Sequence, residues 1–81
     1  MKIFYSPHFN HNFNNFSAEI RGKFKKQIDY LLHDLRHPSL HSKKYDESQN
    51  IWQARVDRDI RFYFLIENDL YILLDIKKHP K

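Results

Sequence analysis

The chain of 81 residues contains no cysteine, one glycine, one methionine and three prolines. Without cysteine there is no disulfide framework and no thiolate metal site, and a reducing cytoplasm is the natural compartment. The longest apolar runs, Phe62 to Ile66 and Leu70 to Leu74, are five residues each, far below the ~20 needed to span a bilayer. No signal-peptide pattern opens the sequence. Repeats, linkers and low-complexity tracts are missing as well, so residues 1–81 read as a single domain. With so little glycine, tight turns must rely on Asp and Asn, which tolerate left-handed backbone better than most residues.

What the chain does have is aromatic and basic. Seven Phe, five Tyr and one Trp bring the aromatic share to 16% within an apolar share of 41%. That composition excludes disorder. It also suits a short chain, which buries only about 60% of its unfolded surface and needs large side chains to do so. Lys and Arg exceed Asp and Glu by four, and six His add latent charge. An anionic partner follows, either nucleic acid or an acidic protein.

Period and capping divide the chain in two. Met1 to Tyr5 alternates as a short strand. Ser6-Pro7 then reads as an N-cap with proline in the first helical position, and Phe9, Phe13 and Phe16 recur at helical spacing. Ser17 caps a second helix, with Glu19 in its first turn. Its apolar stripe is Ile20, Phe24, Ile28, Leu31, Leu32 and Leu35, ended by Pro38. Gly22 inside it costs ~1 kcal/mol relative to Ala. A strand near Leu40 to Tyr45 is weakly marked. From Trp52 onward the even positions are apolar through Ile76 apart from Arg58, Asn68 and the turns they occupy, which predicts three strands with one face on a core.

If even positions face inward in all three strands, each hairpin needs a loop with an odd number of residues, and three-residue loops are common. Val56 then sits opposite Ile60, and Ile66 opposite Leu70. Counting outward places Arg55 across from Arg61 on one side, and Asp75 across from Arg61 on the other. The open face would carry Arg55, Arg61, Tyr63, Asp75 and Lys77, with His79 just beyond. Two facing guanidiniums repel unless an anion lies between them. That anion could be Asp57 or Asp75, or a phosphate from outside.

The run from His37 to Lys81 resembles the C-terminal half of the RelE/ParE superfamily of bacterial toxins. The features that carry the likeness are His37-Pro38-Ser39-Leu40, the Lys43-Lys44 pair, Trp52-x-x-Arg55-Val56, Arg61 opening an aromatic strand, and a basic final strand ending in His79. The resemblance implies an α+β fold: an N-terminal strand, a two-helix hairpin, then three to four strands in a mostly antiparallel twisted sheet, helices on one face. It further implies the toxin of a type II toxin-antitoxin system, an mRNA interferase cutting transcripts on the ribosome without a metal or other cofactor. The implied partners are an antitoxin, mRNA and the ribosome, with DNA reached only through the antitoxin and no membrane.

Metal-free cleavage needs a base for the 2′-hydroxyl, an acid for the leaving 5′-oxygen and a cation for the charged transition state. By likeness to the YoeB-like branch, the spacing of Trp52, Arg61 and His79 assigns Arg61 as the transition-state cation and His79 as proton donor or acceptor. Arg55 would hold phosphate beside them. Lys43, Lys44, Arg58, Lys77, Lys78 and Tyr63 complete the substrate-binding set. The chain departs from the branch at three points. The position of its glutamate base falls around Ser42 or Lys43, Pro80 stands where an aromatic follows the histidine, and the RelE-like lysine pair is replaced by Trp52 and Ala54. The base is therefore open, and a lysine could serve if crowded by Arg55 and Arg61.

Two other readings belong beside this one. A ParE-like gyrase poison also carries a terminal histidine, though the sequence shows no further helix after the last strand. A catalytically inert RNA- or antitoxin-binding module would fit the missing acid. His33, His37 and His41 have spacings that zinc could use, but without HExxH or cysteine they read as solvated histidines rather than a metal site.

Overall fold

The computed structural model describes residues 1–79, so Pro80 lies outside the described residues. Strand β1 (Lys2–Tyr5) leads into helix α1 (Pro7–Phe13) and helix α2 (Ala18–His33). A single 3₁₀ turn at Pro38–Leu40 precedes strands β2 (Lys43–Asp46), β3 (Ile51–Arg55), β4 (Ile60–Glu67) and β5 (Leu70–Lys78). The strands form one sheet in the order β1-β5-β4-β3-β2. Only the β1–β5 pairing is parallel. The α+β class and the mostly antiparallel sheet expected from the sequence are therefore what the chain adopts.

Both helix starts follow the capping chemistry. Ser6 Oγ accepts from Phe9 N at 3.1 Å, and Ser17 Oγ accepts from Ile20 N at 3.3 Å. The helices lay Phe9, Phe24, Ile28 and Leu31 against Ala54, Val56, Ile60, Phe62, Phe64, Leu73 and Ile76. The Phe24 ring meets Phe62 edge-on at 5.3 Å and lies 5.2 Å from Phe9. Gln27 is the one polar residue of α2 buried here, and it ties three elements together. Its Nε2 donates to Ser39 O (3.0 Å) and Arg55 O (2.8 Å), while its Oε1 accepts from Ser39 Oγ (2.8 Å).

Three expectations need correction. Helix α2 stops at His33, not at Pro38, because Asp34 turns extended and its carboxylate accepts from Arg36 N. Such a side chain offers the backbone an alternative to the next helical turn. Leu32, placed in the core stripe by spacing, is exposed. The weakly marked strand begins only at Lys43, since Leu40 is fully buried in the 3₁₀ turn.

A further correction concerns register. The β3–β4 hairpin is as expected, with Arg55 opposite Arg61 and Val56 N bonded to Ile60 O. The β4–β5 hairpin instead pairs Glu67 with Leu70 across a two-residue loop, with Asn68 at φ 54°. An even-numbered loop reverses parity, so Tyr71 and Leu73 face the core rather than Ile72 and Leu74. A β-bulge between Leu73 and Asp75 leaves Leu74 unpaired and restores parity for Ile76. Asp75 consequently lies opposite Tyr63, and Lys77 opposite Arg61.

Candidate functional site

On the face away from the helices, the C-terminal end of β3, the start of β4 and the end of β5 enclose a cleft of about 320 Å³. Its lining is His41, Ser42, Lys43, Gln53, Arg55, Arg61 and His79. No carboxylate is among them.

Arg61 is the centre of this arrangement and is only 8% exposed. Its Nη1 donates to the carbonyls of Asp57 (2.8 Å), Arg58 (3.1 Å) and Ile60 (3.3 Å). The β3–β4 turn thus fixes one end of the guanidinium. The same turn holds the end of β5, where His79 N donates to Asp59 O at 2.7 Å. Ion pairs among the described residues join His8 to Asp75, Lys23 to Glu19 and Asp57, and Lys44 to Glu47. Neither Arg55 nor Arg61 has a carboxylate partner there. Asp57 and Asp75, the two internal anions weighed from the sequence, are committed elsewhere. Asp75 Oδ1 accepts from Asn12 Nδ2 (2.7 Å) and Ile76 N (2.8 Å). Like charges directly opposite on one face destabilise a sheet by up to about 1 kcal/mol, a cost that an external anion would remove.

The turn that carries Arg61 is built by Asp57. Burial by itself raises its carboxyl, but hydrogen bonds from Asp59 N (2.9 Å) and Ile60 N (3.0 Å), with the Lys23 ammonium 3.5 Å away, outweigh it. The net pKa lies below the ordinary carboxylate range. A carboxyl depressed by folding contributes stability above its unfolded pKa and loses it as pH falls through the folded value. That contribution should therefore be complete above about pH 5 and fade below about pH 4. Asp57→Ala is expected to cost about 1–2 kcal/mol. Thermal melts at pH 7 should show a midpoint lower by roughly 5–15 °C, and the gap between wild type and variant should narrow at pH 3.

The remaining sequence-based candidates separate by strand alternation. Lys43 pairs with Gln53 and joins the cleft, whereas Lys44 pairs with Trp52 on the helix-bearing face. There its Nζ donates to Asn50 Oδ1 (3.0 Å) and lies 5.3 Å from the Trp52 ring. Lys77 is beside Arg61, with Nζ 5.1 Å from the Tyr63 ring. Lys78 pairs with Ile60 and so points to the other face, and Arg58 is exposed at the turn. Tyr63 is buried next to Arg61. Burial first, then Tyr45 and Asp75 against the opposing effect of Arg61, pushes its phenol above the ordinary value. It therefore stays protonated at neutral pH.

Three cleft residues lie outside the candidate set read from the sequence, although likeness marked Ser42 as one place of the missing base. His41 follows the 3₁₀ turn at φ 48°, a left-handed conformation that His adopts more readily than bulky residues. Ser42 Oγ and Gln53 Oε1 are buried without a hydrogen-bond partner among the described residues, each at a cost of about 1–3 kcal/mol. The other two histidines of the possible trio go elsewhere. His33 Nδ1 lies 2.7 Å from Asp29 O, and His37 stacks on Tyr30 at 3.8 Å while its Nδ1 accepts from Ser39 N.

Solved structures share this architecture. A YoeB/ParE toxin from Agrobacterium tumefaciens superposes with a TM-score of 0.80 at 11% identity, covering 99% of this chain and 100% of its own. The YoeB-YefM toxin-antitoxin complex from Staphylococcus aureus gives 0.79 at 12%, with coverage of 96% and 95%. YafQ from E. coli strain BL21(DE3) gives 0.75 at 19%, with coverage of 94% and 90%. No family model and no curated protein matches the sequence. The likeness is one of backbone, and it establishes the small RelE-like fold.

Proposed function

We propose that this chain, built on the fold of the YoeB, RelE and YafQ toxins, is the toxin of a toxin-antitoxin pair and an endoribonuclease that cuts mRNA on the ribosome. The observation that carries the reading is the cleft itself: Arg55 and Arg61 without carboxylate partners among the described residues, flanked by His41 and His79. Among the described residues the lining offers His41 and His79 but no Asp, Glu or Cys to complete the ligand set of a metal. The cations present suit a phosphate instead. Arg61 presents a planar fork to two non-bridging oxygens, and Arg55 and Lys43 hold neighbouring charge.

His41 and His79 supply the proton chemistry. His41 precedes β2 and His79 follows β5, so they enter from strands on opposite flanks of the Arg55–Arg61 pair. Three strand spacings, about 14 Å of backbone, separate them, and in-line displacement requires base and acid on opposite sides of phosphorus. His41 takes the 2′-hydroxyl proton, the 2′-oxygen attacks phosphorus, and Arg61 stabilises the added charge. His79 protonates the departing 5′-oxygen. The products are a 2′,3′-cyclic phosphate and a free 5′-hydroxyl. Lys43, Arg55, Lys77 and Tyr63 line the substrate path, and Arg58, Lys44 and Lys78 lie on its rim or beyond it. An antitoxin partner would cover this cationic face.

Purified protein added to a translation reaction tests the reading. Transcript fragments ending in 2′,3′-cyclic phosphate are the expected result. Intact transcripts with gyrase-linked DNA breaks in expressing cells would replace it with the gyrase-poison reading. Intact transcripts and normal growth would leave a binding module.

A further inference from the structure

Beside the cleft, on the same open face, lies a smaller hollow of about 150 Å³ lined by Tyr45, Ile51, Tyr63, Leu74, Asp75 and Lys77. It has an unusual construction. Two of its six residues are the unpaired residues of β-bulges: Tyr45 is skipped between Lys44 and Asp46, and Leu74 between Leu73 and Asp75. Bulges bend a strand and re-aim the side chain they insert. Here one on an inner strand and one on an edge strand re-aim theirs toward the same place.

We propose that this hollow is a nucleobase subsite in which one base of a single-stranded RNA stacks on Tyr45. The inference rests on the RNA reading above and adds to it a contact that no charge pattern supplies. Tyr45 is 55% exposed, among the most exposed large apolar-bodied side chains of the molecule. Its neighbour Tyr63 cannot take that part, being 4% exposed, covered by Lys77 and met edge-on by Tyr45 at 4.9 Å. Tyr63 is the wall that fixes the Tyr45 ring.

The occupant follows from continuity with the cleft. Tyr63 is two residues beyond Arg61 on the same face of β4, a step of about 6.8 Å, and Lys77 stands opposite Arg61. A chain whose phosphate sits at Arg61 would place an adjacent base over the hollow. A flat, partly apolar ring with cations close by matches a base attached to a phosphate better than an aliphatic side chain. Asp75 adds no base reading, since its Oδ1 is already taken by Asn12 and Ile76 N and its Oδ2 lies 3.4 Å from His8 Nε2. Stacking of this kind tolerates any base.

The test is the affinity of the full chain for a 2′-O-methyl oligoribonucleotide, which cannot be cut. Tyr45→Ala is expected to weaken binding about 5- to 100-fold, while Tyr45→Phe and Tyr45→Trp stay within about twofold of wild type. An abasic site scanned along the oligonucleotide should weaken wild type at one position and leave Tyr45→Ala indifferent there. Wild-type binding that Tyr45→Ala leaves unchanged overturns the subsite and spares the RNA reading. A loss in Tyr45→Phe equal to that in Tyr45→Ala overturns it too, by assigning the contact to the hydroxyl. Wild type that binds no RNA overturns both. Melting curves of the variants identify any loss that comes from folding.

Discussion

Arg61→Ala is expected to slow RNA cutting by about 10²–10³-fold, the usual effect of removing one preorganised donor from a developing oxyanion. The size of the effect comes from preorganisation. Nη1 is held by three carbonyls of the β3–β4 turn, so the guanidinium need not be ordered when charge develops. Those carbonyls are also the reason for a second variant. Losing their donor loosens the turn that anchors His79 N, so Arg61→Ala combines a chemical loss with a structural one. Arg61→Lys keeps the charge but not the fork that grips two oxygens at once. It should retain phosphate binding and still lose at least about 10-fold in rate. Single-turnover cleavage of a short RNA, with affinity for an uncuttable analogue measured in parallel, separates rate from binding. Lys43→Ala is the contrasting case: exposed and flexible, it should weaken binding and its salt dependence while sparing the rate of the bound complex. An Arg61→Lys protein that cuts as fast as wild type would remove Arg61 from the transition state.

How far the sequence could reveal this centre depended on which forces set each element. The β3–β4 register was legible because both strands alternate cleanly and the break between them, Asp57-Arg58-Asp59, has an odd count. Facing arginines followed from that alone. The β4–β5 register was hidden by composition. Leu70 to Leu74 are apolar at every position, so either parity buries a suitable side chain, and a reversal leaves no trace in the pattern. The bulge at Leu74 is equally silent, since it costs one unpaired residue and no change of residue type. Asp75 was therefore assigned to Arg61, two residues away from its actual partner Tyr63. Lys43 and Lys44 looked equivalent until alternation sent one into the cleft and the other across the sheet. Ser42, marked only as a place where an acid is missing, and Gln53 stayed outside the candidate set for a different reason: neutral polar residues in or beside an alternating strand look like ordinary solvent-facing positions. His41 carried a weak signal, standing directly before the position where the YoeB-like branch has its base. Its place in the cleft depends on the turn at Pro38–Leu40, whose tie to α2 through Gln27 is a long-range contact.

That placement of His41 leads to the other large effect. His41→Ala and His79→Ala are each expected to reduce cutting by about 10²–10⁴-fold, the range for loss of a general acid or base. Their pH dependence should differ, because a base must start deprotonated and an acid protonated. The rate supported by the pair should rise and then fall with pH, and each single variant should lose one limb. A substrate with sulfur in place of the bridging 5′-oxygen separates the roles more sharply. A thiolate leaves without being protonated, so the modified RNA needs no acid but still needs a base at the 2′-hydroxyl. His79→Ala should recover most of its lost rate on that substrate, whereas His41→Ala should recover none. Recovery in His41→Ala instead would exchange the two assignments while keeping both residues in the chemistry. Lack of effect from His41→Ala on either substrate would remove His41 from the chemistry and leave the base to another cleft residue. Both histidines are exposed, so neither substitution removes a core contact: His79→Ala should leave the melting curve unchanged, and His41→Ala should lower it only slightly, because alanine tolerates φ 48° less well than histidine.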